Sequence, residues 1–210
     1  MTPYLTLALV WAIWCALHSL LISPPITALA ARRLTGLVRY YRLFYNAFAL
    51  GTLIGVLGYS ATFTGPVVFA WRGEGRIVQA AMLAAAIGLF AAGARRYDLR
   101  QFLGLRQARA ENACQVLTED CRLDTSGVLG LVRHPWYTGG ILLIWARQLD
   151  RAAVTINLVL TLYFIVGALI EEEKLRARFG AEYDAYRRRV SMLVPLRWLG
   201  RRLGRTGGKP

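Results

Sequence analysis

The chain has 210 residues, enough for one domain of ordinary size, and 56% of these residues are hydrophobic. The hydrophobic residues are concentrated in long runs, which argues against a soluble globular protein and indicates an integral membrane protein. Arginines flank the apolar runs, so we attribute the formal net charge of +14 to an anionic membrane surface and expect no nucleic-acid partner.

The first apolar run covers residues 3–22, which is long enough to span the roughly 30 Å hydrocarbon core of a bilayer. No positive charge precedes the run, and no small-x-small cleavage site follows it. We therefore predict a retained transmembrane helix rather than a signal peptide. His18 lies near its inner end, where we favour a packed, hydrogen-bonded imidazole over a ligand-binding one.

The chain contains three cysteines, with Cys15 in this first run and Cys114 and Cys121 in a later polar stretch. An odd number without a tightly spaced pair does not describe a disulfide framework. A single Cys-x6-Cys pair is also a weak metal motif. We therefore expect three reduced thiols and no metal site.

A basic connector at residues 24–42 leads into the second apolar run, at residues 43–63. Within the connector, residues 26–37 are predicted to form a short amphipathic helix on the membrane surface. Tyr45 and Asn46, near the start of the second run, are polar enough that we expect them to face other helices rather than lipid.

Small residues mark the next two runs. Gly51, Gly55 and Gly58 recur at small-xxx-small spacing, which predicts the close approach of a neighbouring helix. A short loop separates them from the third run, at residues 77–93, which is rich in alanine and is predicted to pack against other helices. A polar connector at residues 95–132 follows.

A short polar break at residues 133–140 then interrupts the hydrophobic chain. Pro135 suits the first turn of a helix, and a helix over residues 135–146 would be about 18 Å long, too short to cross a bilayer alone. Residues 152–170 form the next apolar run. The two segments are predicted to form a helical hairpin.

An amphipathic pattern follows Glu171. Apolar and aromatic residues recur there at helical spacing, interrupted by Gly180. These residues are Leu175, Phe179, Tyr183 and Tyr186. The tail at residues 196–210 is strongly basic.

The distribution of Lys and Arg predicts the topology. The connector at 24–42 has four, the polar stretch at 95–133 has seven, and the chain after Glu171 has eleven, whereas the loop at 64–76 has two. Placing the three richer segments inside puts the N-terminus outside and the C-terminus in the cytoplasm, whether or not the hairpin crosses fully.

These elements predict an all-α integral membrane protein with about five transmembrane segments, the last two forming the hairpin, and a cytoplasmic C-terminal amphipathic segment. We expect a single membrane domain over residues 1–210. Its parts are three N-terminal helices (1–94), a cytoplasmic connector (95–132), a cofactor-binding hairpin with the C-terminal segment (133–195) and a basic tail (196–210).

The polar break and the glutamates after the hairpin are the chemically distinctive residues. Arg133 and His134 offer donors for an anion at a helix start. Glu171 and Glu172 lie at a helix end, where the dipole disfavours carboxylates, so they need a cation or hydrogen-bond donors. The residues alone leave two alternatives equally open: a site for a mixed-charge ligand, or an arginine–glutamate pair that only holds the helices together.

Two motifs here resemble the integral-membrane methyltransferases typified by isoprenylcysteine carboxyl methyltransferase and phospholipid N-methyltransferase. The first motif is Arg133-His134-Pro135-Trp136-Tyr137-Thr138-Gly139. The second is Glu171-Glu172 followed by Leu175, Phe179-Gly180, Tyr183, Tyr186, Val190 and Pro195. Together they cover about a third of the chain.

The N-terminal half resembles a bacterial branch of that family that includes methanethiol S-methyltransferase-like proteins. The stretches that carry this likeness are His18-Ser19-Leu20-Leu21, residues 41–46 and residues 102–107. The chain departs from the family at Ser191, where many relatives have proline. It also departs at residues 128–130, where an aromatic residue is common in the family. We expect this difference to alter the side of the site that binds the substrate.

The resemblance implies S-adenosylmethionine as cofactor and a bacterial inner-membrane location. It implies that the cofactor contacts are His134, Pro135, Tyr137, Gly139, Glu171 and Glu172. Arg133, His134 and Glu172 are then the expected catalytic residues.

The methyl acceptor is left open as a lipophilic small molecule or a lipid: a thiol, a carboxylate or a lipid headgroup. A thiolate or carboxylate needs positioning, for which Arg133 or one of Arg187, Arg188 and Arg189 would serve. An amine would need His134 or a glutamate as base. The rival functions are an NADPH-dependent membrane reductase of the sterol-reductase type and a non-catalytic membrane scaffold. The oligomeric state is not predicted.

Overall fold

The computed structural model describes residues 3–63, 65–109 and 122–206, with the backbone alone for 203–206. Cys114 and Cys121 lie outside the described residues. The protein is predominantly helical. In chain order its elements are α1 (Pro3–Leu21), α2 (Pro24–Arg33), α3 (Tyr41–Ala61), β1 (Val67–Phe69), α4 (Gly75–Ala94), α5 (Leu99–Leu103), α6 (Leu105–Ala108), α7 (Pro135–Trp145), β2 (Leu149–Asp150), α8 (Arg151–Phe179), α9 (Ala181–Arg189) and α10 (Leu196–Thr206).

Within the described residues, four helical segments have the length and apolar composition to cross a bilayer. They are Pro3–Leu21, Val38–Ala61, Gly75–Ala94 and Arg151–Phe179. The first three coincide with the apolar runs predicted from the sequence. The fifth expected segment is α7, whose 11 residues give a length of about 16 Å, well short of a bilayer core.

The chain divides into two compact units. The first comprises Met1–Ala70, Tyr97–Cys121 and Gln148–Leu160. Its core is formed by Leu7 and Trp11 of α1 packed against Ala152 and Ile156 at the start of α8. Because lipid tails are as apolar as this core, van der Waals packing rather than removal from water holds these two helices together within a bilayer.

Polar side chains of α3 face other elements of the first unit, as predicted. The Tyr45 hydroxyl lies 2.9 Å from Nε2 of His18, which is therefore a packed, hydrogen-bonded imidazole. Asn46 donates to the Phe102 and Leu103 carbonyls, at 3.2 and 2.9 Å. The two family-like stretches at 41–46 and 102–107 are thus in direct contact.

Gly104 allows this contact. Its φ of +89° is a conformation that glycine adopts without strain, and an added Cβ would lie 3.0 Å from both Cβ of Arg42 and N of Leu43. Asp98 supports the turn by accepting from the N–H of Gln101 and from Arg106. Burial would raise the pKa of Asp98, but these donors hold it below its usual value.

Two findings in the first unit differ from expectation, the surroundings of three glycines of α3 and a pair of short strands. The expected close approach of a neighbouring helix at Gly51, Gly55 and Gly58 is absent among the described residues, where a Cβ added at any of them would meet no other element within 4 Å. The loop at 64–76 and the break at 147–151 contain strands β1 and β2, which pair antiparallel. Such short strands have too little sequence of their own to be recognised.

The second unit comprises Trp71–Arg96, Arg122–Arg147 and Thr161–Pro210. Helices α4 and α7 pack closely, as the alanine-rich sequence of α4 predicts. A Cβ added to Gly139 would lie 3.2 Å from the Phe90 ring and 3.3 Å from the Ala86 carbonyl. Gly140 makes the same kind of approach to Phe164 of α8, at 3.1 Å.

The hairpin's second helix is longer than its apolar run. Helix α8 continues through Glu171 to Phe179, giving 29 residues and about 43 Å. Nothing in residues 171–179 disfavours a helix, and the helix ends only where Gly180 adopts a φ of +51°. Helix α9 follows, and its Tyr183 and Tyr186 form a buried cluster with Val190, which confirms the predicted amphipathic stripe.

The basic tail was not predicted to be structured, yet it forms α10. Its leucines and arginines recur at helical spacing.

Candidate functional site

The polar break lies beside the chain that follows α9. Val132 forms a parallel bridge with Ser191, and the Arg133 N–H donates to the Ser191 carbonyl at 2.9 Å. The His134 N–H donates to the carbonyl of Met192 at 3.2 Å. Thr138 donates from Oγ1 to the carbonyl of Leu193 at 2.9 Å. The segment 190–193 therefore fixes the backbone from which Arg133 and His134 project.

His134 is the residue before α7 and Pro135 is the first residue of that helix. Proline lacks a backbone N–H and prefers the helical φ, so it begins the helix without losing a hydrogen bond. Pro135 is buried in the described structure. The placement of both residues at a helix start agrees with the sequence prediction.

Arg133 pairs with Glu172 in the interior of this unit. Nε of Arg133 donates to Oε1 of Glu172 at 2.7 Å, and Nη2 donates to the same oxygen. The two side chains are only 7% and 3% exposed. The guanidinium also donates from Nη1 to the carbonyls of Arg187 and Val190. The Arg133–Glu172 ion pair is therefore shielded from solvent, and its guanidinium also has hydrogen-bond acceptors in the backbone.

A second arginine also pairs with the Glu172 carboxylate. Nε of Arg187 lies 3.2 Å from Oε2 of Glu172, so each carboxylate oxygen faces a guanidinium. Arg187 was one of three arginines that the sequence could not separate, and Arg188 and Arg189 are exposed. Of the three arginines, Arg187 is the one next to Tyr186, the last residue of the amphipathic stripe. That adjacency is the sequence feature that could have distinguished it from Arg188 and Arg189.

His134 is buried, with 4% of its surface exposed. Its Nε2 has no hydrogen-bond partner in the described part of the chain, and the Oε1 of Glu172 is 3.4 Å away without hydrogen-bond geometry. Its Nδ1 lies 3.7 Å from Oε2 of Glu171. Nε2 therefore lies beside the buried Glu172 carboxylate, and Nδ1 lies beside the accessible Glu171 carboxylate.

Glu171 and Glu172 are adjacent in sequence but have different surroundings. The Glu171 side chain is 43% exposed, whereas that of Glu172 is 3% exposed. Successive residues of a helix project about 100° apart, which explains the difference. The Glu171 carboxylate is therefore accessible, and the Glu172 carboxylate is occupied by arginines.

Aromatic rings line one side of His134. The Tyr137 ring stacks on the imidazole, with centroids 5.5 Å apart and an interplanar angle of 25°. Phe164 of α8 lies 5.9 Å beyond Tyr137. Gly139, by contrast, is buried against α4, so the close approach that it permits in this structure is helix packing.

Two tyrosines of α9 are buried beneath the ion pair. The Tyr186 hydroxyl donates to the Leu129 carbonyl at 2.6 Å. The hydroxyl of Tyr183 has no hydrogen-bond partner among the described residues. Burial raises the pKa of Tyr183 well above its usual value, and the Glu172 carboxylate raises it further, while Arg133 acts in the opposite direction.

The arrangement brings Arg133, His134, Glu171 and Glu172 together, as predicted. Of the two alternatives left open by the sequence, the arginine–glutamate pair is present as a contact between Arg133 and Glu172. The same cluster also offers the accessible Glu171 carboxylate, with Nδ1 of His134 beside it. In the described part of the chain, no group of three or more His, Cys, Asp or Glu side chains could hold a metal ion.

Parts of the chain are similar to bacterial proteins named methanethiol S-methyltransferase. It is 42% identical over 77 residues to Methanethiol S-methyltransferase 1 of Bradyrhizobium diazoefficiens, covering 36% of this chain and 27% of that relative. It is 38% identical over 107 residues to Methanethiol S-methyltransferase 2 of the same organism, covering 50% and 40%. A protein of the same name from Mycobacterium tuberculosis is 38% identical over 65 residues, covering 30% and 27%.

The match spans less than half the length of each of these relatives. No family model matches the chain, and no solved structure matches it. The similarity confirms the resemblance to the methanethiol S-methyltransferase branch that the sequence motifs indicate.

Proposed function

We propose that this chain is an integral-membrane methyltransferase that uses S-adenosylmethionine to methylate a small lipophilic thiol. The observation that carries the proposal is the similarity to proteins named methanethiol S-methyltransferase, at 38–42% identity to the two from Bradyrhizobium diazoefficiens. A buried cluster of ionisable groups on a membrane-length helix supports it, because such groups are costly unless they serve a function.

The donor and acceptor groups of the cluster fit S-adenosylmethionine, whose methionine part is zwitterionic and whose sulfonium is cationic. The accessible Glu171 carboxylate suits the ribose hydroxyls or the amino group. Nδ1 of His134, 3.7 Å from Oε2 of Glu171, offers a further polar contact on the same side. When bound, S-adenosylmethionine supplies an electrophilic methyl group.

We assign the cofactor contacts to the residues expected from the sequence, in two roles. His134, Tyr137 and Glu171 contact the cofactor through the imidazole, the stacked ring and the carboxylate. The first turn of α7, beginning at Pro135, offers backbone N–H groups. Gly139 and Glu172 support the site without contacting the cofactor. Gly139 allows α4 to pack closely against α7, and Glu172 forms ion pairs with two arginines.

Three residues are assigned to catalysis. His134 would accept the proton of the acceptor thiol. Arg133 favours the thiolate electrostatically in a site of low dielectric. Glu172 is a positioning residue, because it holds Arg133 and lies beside the imidazole.

The proposal extends to the location and topology of the chain. We place the chain in the bacterial inner membrane, with the N-terminus outside and the C-terminus cytoplasmic, because the segments richest in Lys and Arg then lie inside. The acceptor enters from the bilayer and the cofactor from the cytoplasm. Fusing a reporter that is active only in the cytoplasm to each terminus tests this topology.

One observation favours a second candidate. The Arg133–Glu172 pair holds α8 to the segment before α7 whether or not a ligand binds, as a non-catalytic scaffold requires. The membrane reductase remains the runner-up among enzymes, and no contact in the described chain favours it. NADPH binding by the purified protein would identify the reductase.

The proposal is tested by supplying membranes that contain the protein with methyl-labelled S-adenosylmethionine and methanethiol. We expect label in a volatile thioether in the headspace. Label in the lipid or protein fraction would indicate a lipid headgroup or a carboxylate acceptor instead. Absence of S-adenosylmethionine binding to the purified protein would refute the proposal.

Matched variants locate the site. Glu171→Gln and His134→Gln should weaken S-adenosylmethionine binding, each by at least the tenfold that one charge-assisted hydrogen bond of about 1.5 kcal/mol represents. Glu173→Gln makes the same chemical change two residues along α8, where the side chain is exposed, and should leave binding unchanged.

A further inference from the structure

Helix α10 separates apolar from basic side chains. At about 100° per residue, Leu196 and Leu199 lie on one face, and Arg197 and Arg201 lie on the opposite face. The two leucines are 67% and 42% exposed. A helix of a soluble protein would turn these leucines towards a core. Here they face away from the described part of the second unit.

The charge around α10 indicates what covers this face. Residues 196–206 contain four arginines and no acidic residue, and Arg188 and Arg189 precede the helix on the exposed surface of α9. A basic helix with an exposed leucine face is typical of segments that lie in the interface of an anionic bilayer. The spanning helix α4 and the later part of α8 belong to the same unit as α10, so the chain itself is membrane-embedded there.

Trp198 and Arg202 project from α10 between its leucine face and its basic face. The Trp198 ring is partly buried, and the Arg202 guanidinium lies 4.9 Å from the ring centroid. Tryptophan and arginine are the side chains that prefer the headgroup level of a membrane, one for its amphipathic ring and the other for its charge.

Helix α10 is also bonded to the backbone that frames the candidate site. Nη1 of Arg197 donates to the carbonyls of Arg187 and Val190, and these two carbonyls also accept from Nη1 of Arg133. The Arg197 N–H donates to Oγ of Ser191 at 3.1 Å. The first turn of α10 and the buried ion pair therefore hold the same stretch of chain.

We propose that α10 docks on anionic phospholipid headgroups, and that this docking holds the segment 190–194 against Arg133 and His134. Leu196 and Leu199 enter the acyl boundary, while Arg201 and Arg202 face the phosphates. Undocking frees α10 and loosens the segment that supplies the Ser191 and Met192 carbonyls to the polar break.

The test uses the full-length protein in nanodiscs of phosphatidylcholine alone or of phosphatidylcholine with phosphatidylglycerol. Hydrogen–deuterium exchange of the Arg133 and His134 amides, which donate to the Ser191 and Met192 carbonyls, reports how firmly this segment is held. We expect exchange to slow several-fold when phosphatidylglycerol is present, and high salt to remove the difference. Equal exchange in the two lipids overturns the proposal.

A matched pair of charge variants identifies the helix. Arg201→Gln with Arg202→Gln should reduce the docked-to-undocked ratio by about fivefold for each arginine, and abolish the response to phosphatidylglycerol. Arg72→Gln with Arg76→Gln removes the same charge from exposed positions before and within α4, and should retain the response. If both pairs respond like the parent protein, α10 is not the docking element.

A second readout does not depend on the exchange data. A fluorophore attached through Leu199→Cys, after replacement of the three native cysteines by serine, should shift to shorter wavelength when phosphatidylglycerol is added. An unshifted emission spectrum contradicts insertion of the leucine face. Neither measurement requires methyl transfer, so their failure and the failure of the proposed function are distinguishable.

Discussion

Replacing Glu172 by glutamine should destabilise the protein strongly, because the change leaves Arg133 and Arg187 facing a neutral group. Removing one partner of a buried ion pair costs about 3 to 5 kcal/mol. Arg133 keeps its bonds to the carbonyls of Arg187 and Val190, and Arg187 is partly exposed, so we expect the lower end, about 3 kcal/mol. For a chain of this size, that loss lowers Tm by about 6 to 12 °C.

The assay is thermal unfolding of the purified protein in detergent, and a double variant supplies the control. Arg133→Met with Glu172→Met removes both charges, so its loss should be well below the sum of the two single variants. Glu173→Gln should leave Tm unchanged, because that side chain is exposed. If Glu172→Gln abolished S-adenosylmethionine binding while Tm stayed constant, the carboxylate would be a ligand contact and its assigned positioning role would be wrong.

Four further outcomes follow from other buried groups. Tyr186→Phe should cost about 1 kcal/mol in a denaturant titration because it removes a buried hydrogen bond, whereas Tyr183→Phe should cost less. Because burial raises the pKa of both tyrosines, their contribution to stability should be constant below about pH 10 and should fall above it, and the double Tyr→Phe variant should flatten this decline. Asp98, whose pKa is lowered, should stabilise the fold at neutral pH and lose that contribution as the pH falls below about 4, a dependence that Asp98→Asn should remove. Gly139→Ala should lower Tm by crowding Phe90, at a cost of about 1 to 3 kcal/mol.

The long helices were predictable because their apolar runs are longer than any soluble core requires. The sequence predicted α1, α3 and α4 nearly to their ends, and it placed the start of α7 at Pro135. Proline and glycine act locally, so their effects are visible in the sequence. Gly180 ends α8 because its backbone adopts a positive φ, without reference to any distant residue.

Features that depend on distant partners were not predictable in the same way. The glycine spacing of α3 is a property of one helix and does not specify whether a neighbour exists within the chain. Strands β1 and β2 become strands only because they meet each other. The arginine opposite Glu172 could not be chosen among three neighbours until α9 was placed beside α8, since only Arg187 then faces the carboxylate.

The polar cluster can be both a ligand site and an ion pair that holds the helices together, because the two adjacent glutamates have different roles. Glu172 is buried between two arginines, and its charge is needed to keep Arg133 in the interior. Glu171 projects about 100° away and stays accessible beside Nδ1 of His134. The Arg133–Glu172 ion pair therefore holds the surrounding chain in place, and Glu171 with the neighbouring edge of the His134 ring is the part that a ligand contacts. Loss of stability should accompany loss of binding at position 172 but not at position 171, where a Tm equal to that of the parent protein is expected.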